Sequence, residues 1–141
     1  MHYNLPISFK SLIKKQEHPP CTLNESLRQN ILLILVTHFG EWRYDETYGC
    51  EIWDKEFEML LENNQWIKAI QNSVEKALNL HEPRLENPTV RVKVHQKEEF
   101  GTTNGRKMRK QLSVETSGVI KNTNEAFSHT KIFYYSPISL D

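Results

Sequence analysis

Acidic side chains crowd the stretch from Glu41 to Glu62, with Asp45, Glu46, Glu51, Asp54, Glu56 and Glu58 among them. Paired carboxylates are the equipment of glycosidases, in which one acid protonates the leaving oxygen while the other attacks the sugar or activates water. Glu41 with Asp45, or Glu51 with Asp54, supplies the residue types for that reaction. The chemistry also needs one carboxyl raised in pKa by an apolar pocket and its neighbour kept ionised, a difference of environment that spacing does not encode. Acidic loops outnumber active sites, so the carboxylates define an alternative function only, a glycosidase working through the 41–54 loop.

Other chemistries find less. The six histidines, His2, His18, His38, His81, His95 and His129, stand singly with no metal-site spacing, so neither a metal nor a cofactor is expected. Gly101 and Gly105 flank a hairpin tip and do not form a strand-to-helix phosphate turn. Ser117-Gly118 lies in a strand pattern and not in a nucleophile elbow. Cys21 and Cys50 show neither the paired spacing of a redox or zinc motif nor the density of a disulfide scaffold, which favours a reduced, cytoplasmic protein. No catalytic residue is assigned.

Two further groups suit contact better than catalysis. Trp42, Tyr44, Tyr48 and Trp53 concentrate in one polar loop, and Trp, Tyr and Arg dominate the energetics of protein interfaces. Glu82-Pro83-Arg84 sets opposite charges around a residue with fixed φ, and proline pushes its predecessor out of the α region, so a helix must end by His81. An arginine fork held on stiff backbone loses little entropy on meeting a carboxylate. The plainer reading is a helix stop carrying a weak surface ion pair.

The elements that position these groups follow from periodicity. Thr22-Leu23-Asn24-Glu25 has capping-box form and opens a helix whose Leu27, Ile31, Ile34 and Leu35 recur on one face. That helix is expected to run to about His38 and stop at Gly40 in the αL conformation. Leu32, Leu33 and Val36 widen its stripe, which predicts burial on more than one side. The Asn24-Glu25-Ser26 sequon reads as part of the helix start. A loop covers 41–52, a short helix is expected from an Asp54 N-cap through Phe57, Leu60 and Leu61 to Asn63-Asn64, and an amphipathic helix from about Gln65 to Leu80. Beyond Pro88 the period drops to two: Val90, Val92 and Val94, then Leu112, Val114 and Thr116, then Ile132 and Tyr134, three strands with the first two paired antiparallel around Asn104-Gly105. The linker 122–129 is long enough to return the third strand along either edge, and Pro137 should interrupt its pairing. Residues 1–21, with Pro6, Pro19 and Pro20, read as an arm holding a short strand or turn near Leu5 to Ile13.

The expected fold is α+β: N-terminal helices packed on a small C-terminal antiparallel or mixed sheet of about three to four strands, all in one domain over 1–141, with an arm at 1–21, a helical part at 22–81 and a sheet part at 82–141. Lys+Arg 18 balances Asp+Glu 18, so net charge offers no argument for nucleic acid or an anionic membrane. The longest apolar run, Ile31 to Val36, is far too short to span a bilayer. Locally the charge is uneven, because Arg91, Lys93, Lys97, Arg106, Lys107, Arg109 and Lys110 crowd the first two strands.

Asn30 to Glu51, with Ile31-Leu32-Leu33-Ile34-Leu35-Val36-Thr37 running into Gly40-Glu41-Trp42-Arg43-Tyr44 and then Tyr48-Gly49, resembles the signature of the GPW/TssE family of baseplate wedge proteins. Glu82-Pro83-Arg84 matches the hallmark tripeptide of that family. The likeness covers roughly Thr22 to Leu140. It departs where Asp45-Glu46-Thr47 precedes Tyr48 in place of the proline often found there, and in a longer, more basic hairpin tip at 97–110.

The resemblance implies a structural, non-enzymatic component of a contractile injection machine, a type VI secretion system or a phage-like tail, and the lysozyme label that the family sometimes carries makes a lysozyme-like peptidoglycan hydrolase, using Glu41 or Glu51 with Asp45 in the 41–54 loop, the alternative. By carry-over, Glu82, Pro83 and Arg84 would contact wedge proteins similar to TssF and TssG, with Gly40, Glu41, Arg43, Tyr48 and Gly49 shaping the adjacent loop. Lys131, Ile132, Phe133, Tyr134 and Tyr135 would form the strand that starts the sheath. Nucleic acid, direct membrane insertion and a small-molecule substrate are not expected. On this reading Arg84 points at a partner, Arg84→Ala leaves the fold nearly intact, and removing 131–141 blocks sheath assembly.

Overall fold

The structure, a computed structural model, describes residues 1–52, 64–100 and 106–135. In chain order the elements are β1 (His2–Tyr3), α1 (Phe9–Ile13), β2 (Pro20–Cys21), α2 (Leu23–Val36), α3 (Asn64–His81), β3 (Leu85–Phe100), β4 (Arg106–Ile120) and β5 (Ala126–Tyr135). The helix expected from Asp54 and the hairpin tip around Asn104-Gly105 lie outside the described residues, as do Trp53 and Pro137.

The capping box at the start of α2 forms as the sequence predicts: Glu25 N–H donates to Thr22 Oγ1 at 3.2 Å, and Thr22 N–H donates back to Glu25 Oε2 at 2.8 Å. Leu27, Ile31, Ile34 and Leu35 are all fully buried. The far end differs from expectation. The helix stops at Val36: Thr37 N–H still donates to Leu33 C=O at 3.1 Å, but Thr37 itself is extended (φ −93, ψ 130), which turns its C=O out of the helix to accept from Cys50 N–H at 3.1 Å. Gly40 does adopt positive φ, but in the loop beyond. Burial on several sides of α2 is also not observed, since Leu33 and Val36 are 42% and 41% exposed.

α3 is amphipathic, with Trp66, Ile70, Val74, Ala77 and Leu78 facing inward, and it ends at His81 as the following Glu-Pro requires. The chain then enters β3 at Leu85, ahead of the alternation that becomes visible at Val90. Asn87 (φ 48) and Pro88 sit in a bulge between Glu86 and Thr89, where the missing proline amide removes no ladder bond. Gly118 lies across from this irregularity, and a Cβ there would come within 2.9 Å of Leu85.

β3, β4 and β5 form an antiparallel sheet in that order, with Val90 opposite Thr116 and Thr116 opposite His129. Val90, Val92, Leu112, Val114 and Phe127 turn one face toward α2 and α3, while Arg91 and Lys93 stay in water, the one-sided burial open to an antiparallel sheet. β5 begins at Ala126, so only Lys121–Glu125 links it to β4. Ile120 N–H donates to Glu125 C=O and Asn124 N–H to Ile120 C=O, a tight turn that places β5 beside β4.

The plan of helices followed by a single sheet holds only roughly. A second antiparallel sheet pairs β1 with β2, His2 against Cys21 and Tyr3 against Pro20, and α1 lies between them where a strand or turn was expected. Asn4 and Leu5 fasten this arm to α2: Gln29 Nε2 donates to Asn4 Oδ1 at 3.0 Å and Leu5 N–H to Gln29 Oε1 at 3.2 Å. The buried apolar core draws on α2, α3, the three long strands, Cys50 and Ile52, and among the described residues on nothing before Leu27.

Candidate functional site

Glu82 is the least expected residue of the molecule, a carboxylate only 1% exposed. Its position follows from the proline after it, which ends α3 and swings residue 82 beneath the flank of α2. A buried charge is tolerable only when paired and hydrogen-bonded. Arg84 Nε donates to Glu82 Oε1 and Nη2 to Oε2, both at 2.7 Å, a fork-to-fork pair across Pro83. Asn30 Nδ2 adds a third bond to Oε2 at 2.7 Å. Burial, the largest single influence, pushes the Glu82 pKa up, but the bonds from Arg84 and Asn30 together with the Arg84 charge outweigh it and hold the carboxyl below its ordinary value.

The network extends in two directions. Arg84 Nη1 reaches Ser26 Oγ at 2.9 Å, so Ser26 and Asn30, one turn apart on α2, both grip the tripeptide. Tyr48 Oη donates to Asn30 Oδ1 at 2.9 Å and ties in the 41–49 loop. Burial first and the Glu82 charge second push the Tyr48 phenol up in pKa, so it remains a donor. Sequence reasoning missed Ser26 and Asn30. Their signal was two polar side chains at i, i+4 beside the apolar stripe of the helix.

The loop is built around the same anchor. Tyr48 packs edge-on against His81 (5.0 Å between ring centres) and Trp42 (5.2 Å), and Trp42 against Tyr44 (6.0 Å). Gly49 is buried at φ 120, where a Cβ would fall 2.5 Å from Thr37 C=O. Only glycine fits that approach. Gly40, in contrast, has open space around it, and its N–H donates to Glu46 C=O at 3.0 Å. Glu41 Oε2 accepts from His38 N–H at 2.9 Å, while Arg43 is exposed. Trp42 and Tyr44 project outward, 46% and 81% exposed. Asn30, Leu33, Thr37, Glu41, Trp42 and Tyr48 together line an open groove of about 570 Å³.

Of the sequence-predicted contact residues, the structure thus gathers Glu82, Arg84 and Tyr48 into one network and sets Gly40, Glu41, Arg43 and Gly49 in the adjoining loop, with Pro83 exposed at the turn. The ion pair is not the weak surface contact of the plainer reading. The pairing also argues against the expectation that Arg84→Ala leaves the fold nearly intact, because that change would strip a buried carboxylate of its cation. Lys131, Ile132, Phe133, Tyr134 and Tyr135 all belong to β5, on the far edge of the sheet.

Catalysis finds little support in this geometry. Asp45 Oδ1 accepts from Thr47 Oγ1 (2.6 Å) and Thr47 N–H (2.9 Å), and these bonds lower its pKa, the opposite of what a general acid needs. His81 lies beside both residues, with Nδ1 3.9 Å from Asp45 Oδ2 and Nε2 3.0 Å from Thr47 C=O, but the Thr47 hydroxyl already donates to Asp45, so the three do not form a nucleophilic relay. Among the described residues no cluster of three His, Cys, Asp or Glu is arranged to hold a metal, and no helix is long and apolar enough to cross a membrane.

None of the curated proteins compared matches this chain. A solved structure from Geobacter sulfurreducens, named as that of a proposed tail lysozyme, superposes with a TM-score of 0.58 at 24% identity, covering 87% of this chain and 100% of that one. This likeness speaks to the fold. Residues 21–125 match the family described as baseplate wedge protein gp25, a span that holds α2, the 41–49 loop, the buried tripeptide, β3 and β4 and leaves out β5 and nearly all of the arm.

Proposed function

This chain belongs to the baseplate wedge protein gp25 family, and we propose that it serves as a non-catalytic joint of a contractile injection machine, binding wedge proteins through the surface around Glu82-Pro83-Arg84 and starting the sheath through β5. The observation that carries this reading is the division of labour at the tripeptide. Its charges act inside the domain, fixing the 41–49 loop to α2, and what the loop then offers to solvent is Trp42, Tyr44, Arg43 and an apolar-floored groove. Aromatic and arginine side chains on a rigid support are what interface hot spots are made of. A hydrolase would need a second carboxylate facing Glu41 across the groove, and among the described residues that line it Glu41 is the single acid.

The partners on this reading are wedge proteins similar to TssF and TssG at the loop, and sheath subunits at β5. A phage-like tail and a type VI secretion system both use such an assembly, and the cytoplasm is where either is built.

The test uses Trp42→Ala with Tyr44→Ala in the full chain, co-expressed with the wedge proteins of the same machine. Tyr44 lies largely in water and Trp42 is half-buried against Tyr48, so the two changes should cost about 0.5 and about 1 kcal/mol respectively, and recovery of the wedge proteins should fall about tenfold or more, as for loss of a hot spot. Full recovery by a folded double variant would sink the docking assignment. Hydrolysis of purified peptidoglycan that disappears in Glu41→Gln or Glu51→Gln would overturn the non-catalytic assignment independently.

A further inference from the structure

The two outer strands of the sheet are not equivalent. In an antiparallel sheet alternate residues of an edge strand turn both N–H and C=O out of the sheet, and those pairs are what an added strand would bond. Val90, Val92 and Val94 are such residues on β3, and both groups of Val90 are already taken by α3. Its N–H donates to Glu75 Oε1 at 3.0 Å, and its C=O accepts from Gln71 Nε2 at 3.2 Å. Gln71 and Glu75 are one helical turn apart, so a single face of α3 presents one donor and one acceptor to the one main-chain acceptor and one donor that face it.

The register then identifies the corresponding groups on β5. Val90 points its main-chain groups away from β4, so Val90 and Thr116 form a non-hydrogen-bonded pair and Thr116 bonds across to His129. The outward groups of β5 are therefore those of Ser128, Thr130, Ile132 and Tyr134. All four residues are exposed, and among the described residues no side chain caps their main-chain groups as Gln71 and Glu75 cap Val90.

We propose that Gln71 and Glu75 are an edge guard at Val90, which occupies the β3 hydrogen bonds an incoming strand would need there, and that β5, uncapped from Ser128 to Tyr134 among the described residues, is the edge that accepts an extended segment of another chain. The same geometry defines that segment. On the outer face its alternate side chains meet Ile132 and Tyr134, which suit β-branched or aromatic residues. On the inner face they meet His129 and Lys131 between Phe127 and Phe133, with Arg28 of α2 close enough to act on His129 electrostatically, which suits acidic residues at the two central positions. An acidic and apolar alternation is therefore the signature of the strand that fits. The identity of that strand as a sheath segment rests on the reading of β5 given above; the guard at β3 does not.

The guard is tested on the purified full chain without any ligand. Gln71→Ala with Glu75→Ala should speed exchange of the Val90 amide about tenfold, the scale of one lost hydrogen bond, and should make the protein self-associate with concentration in sedimentation velocity. That association should persist when Thr130→Pro is added, because a proline at that position blocks β5 alone and, with its nitrogen facing outward, removes no ladder bond. A folded double variant that sediments like the wild type, with unchanged Val90 exchange, overturns the guard. Glu75→Ala alone, which frees the Val90 amide while keeping the bond from Gln71 to its carbonyl, serves the same comparison should the double variant not fold. Sheath-subunit binding read on Thr130→Pro is a separate arm: its loss supports β5 as the docking edge, and its retention sinks the sheath reading while leaving the guard result intact.

Discussion

A carboxylate buried beneath a helix is the residue on which the site turns. Because Arg84 and Asn30 hold Glu82 below its ordinary pKa, the folded chain binds fewer protons than the unfolded one through the acid range, where an unperturbed glutamate titrates at ~4.3. The contribution of this group is complete above about pH 5 and is lost as pH falls through the folded-state pKa. Glu25 and Asp45 are lowered too, but both stand at the surface and are common to the two proteins, so the difference between wild type and Glu82→Gln isolates the buried group. Thermal melting from pH 3 to 7 should show a steeper acid decline for wild type than for Glu82→Gln, and Arg84→Ala should lose about 3 kcal/mol at pH 7, the low end for breaking a buried pair, since Arg84 keeps some contact with water. Parallel melting curves for wild type and Glu82→Gln would contradict the assignment. The sequence made this tripeptide visible through its proline and its opposed charges. It did not reveal that the fork turns inward, since that depends on Ser26 and Asn30, more than fifty positions away, and on a burial that no local pattern encodes.

The elements were legible in proportion to how far local chemistry decided them. The capping box of α2, the end of α3 at His81 and the pairing of β3 with β4 were all readable, because a hydroxyl, a proline and an alternation each act within a few residues. Where a distant partner takes part the reading slipped: beyond Val36 the chain leaves α2 to pair Thr37 with Cys50, and β5 already starts at Ala126, paired with Val119 of β4. Pro88 concealed the first residues of β3 by sitting in a bulge. The 41–49 loop shows the same dependence, since the backbone of Gly49 threads against Thr37 and His38. Gly49→Ala should therefore cost about 3 kcal/mol, from positive-φ strain and the displacement of packed main chain, whereas Gly40→Ala should show the backbone strain alone. Chemical denaturation of the two variants checks this, and equal losses would show that close approach is not what Gly49 supplies.

At the scale of the whole molecule, the arm is an addition to a body that does not need it. β1, α1 and β2 contribute nothing to the buried apolar core, they lie at or before the start of the family match at residue 21, and their ties to α2 run through Gln29. Deleting residues 1–19 should leave one cooperative unfolding transition and lower the midpoint by only a few degrees, as expected for a loss of about 1 kcal/mol from a domain of this size; loss of the transition would make the arm part of the body. The overall α+β character could be read from the sequence, but the two-stranded sheet could not, since strands of two residues carry no periodicity.

The guard over Val90 has one last consequence, which concerns counting. A building block with two reactive ends enters anywhere along a growing polymer, whereas one with a single reactive end can occupy only a terminus. On the proposed reading, with β3 guarded at Val90 and β5 open, this chain would be monofunctional in that sense, and its supply relative to sheath subunits would govern how many tubes begin and not how long each becomes.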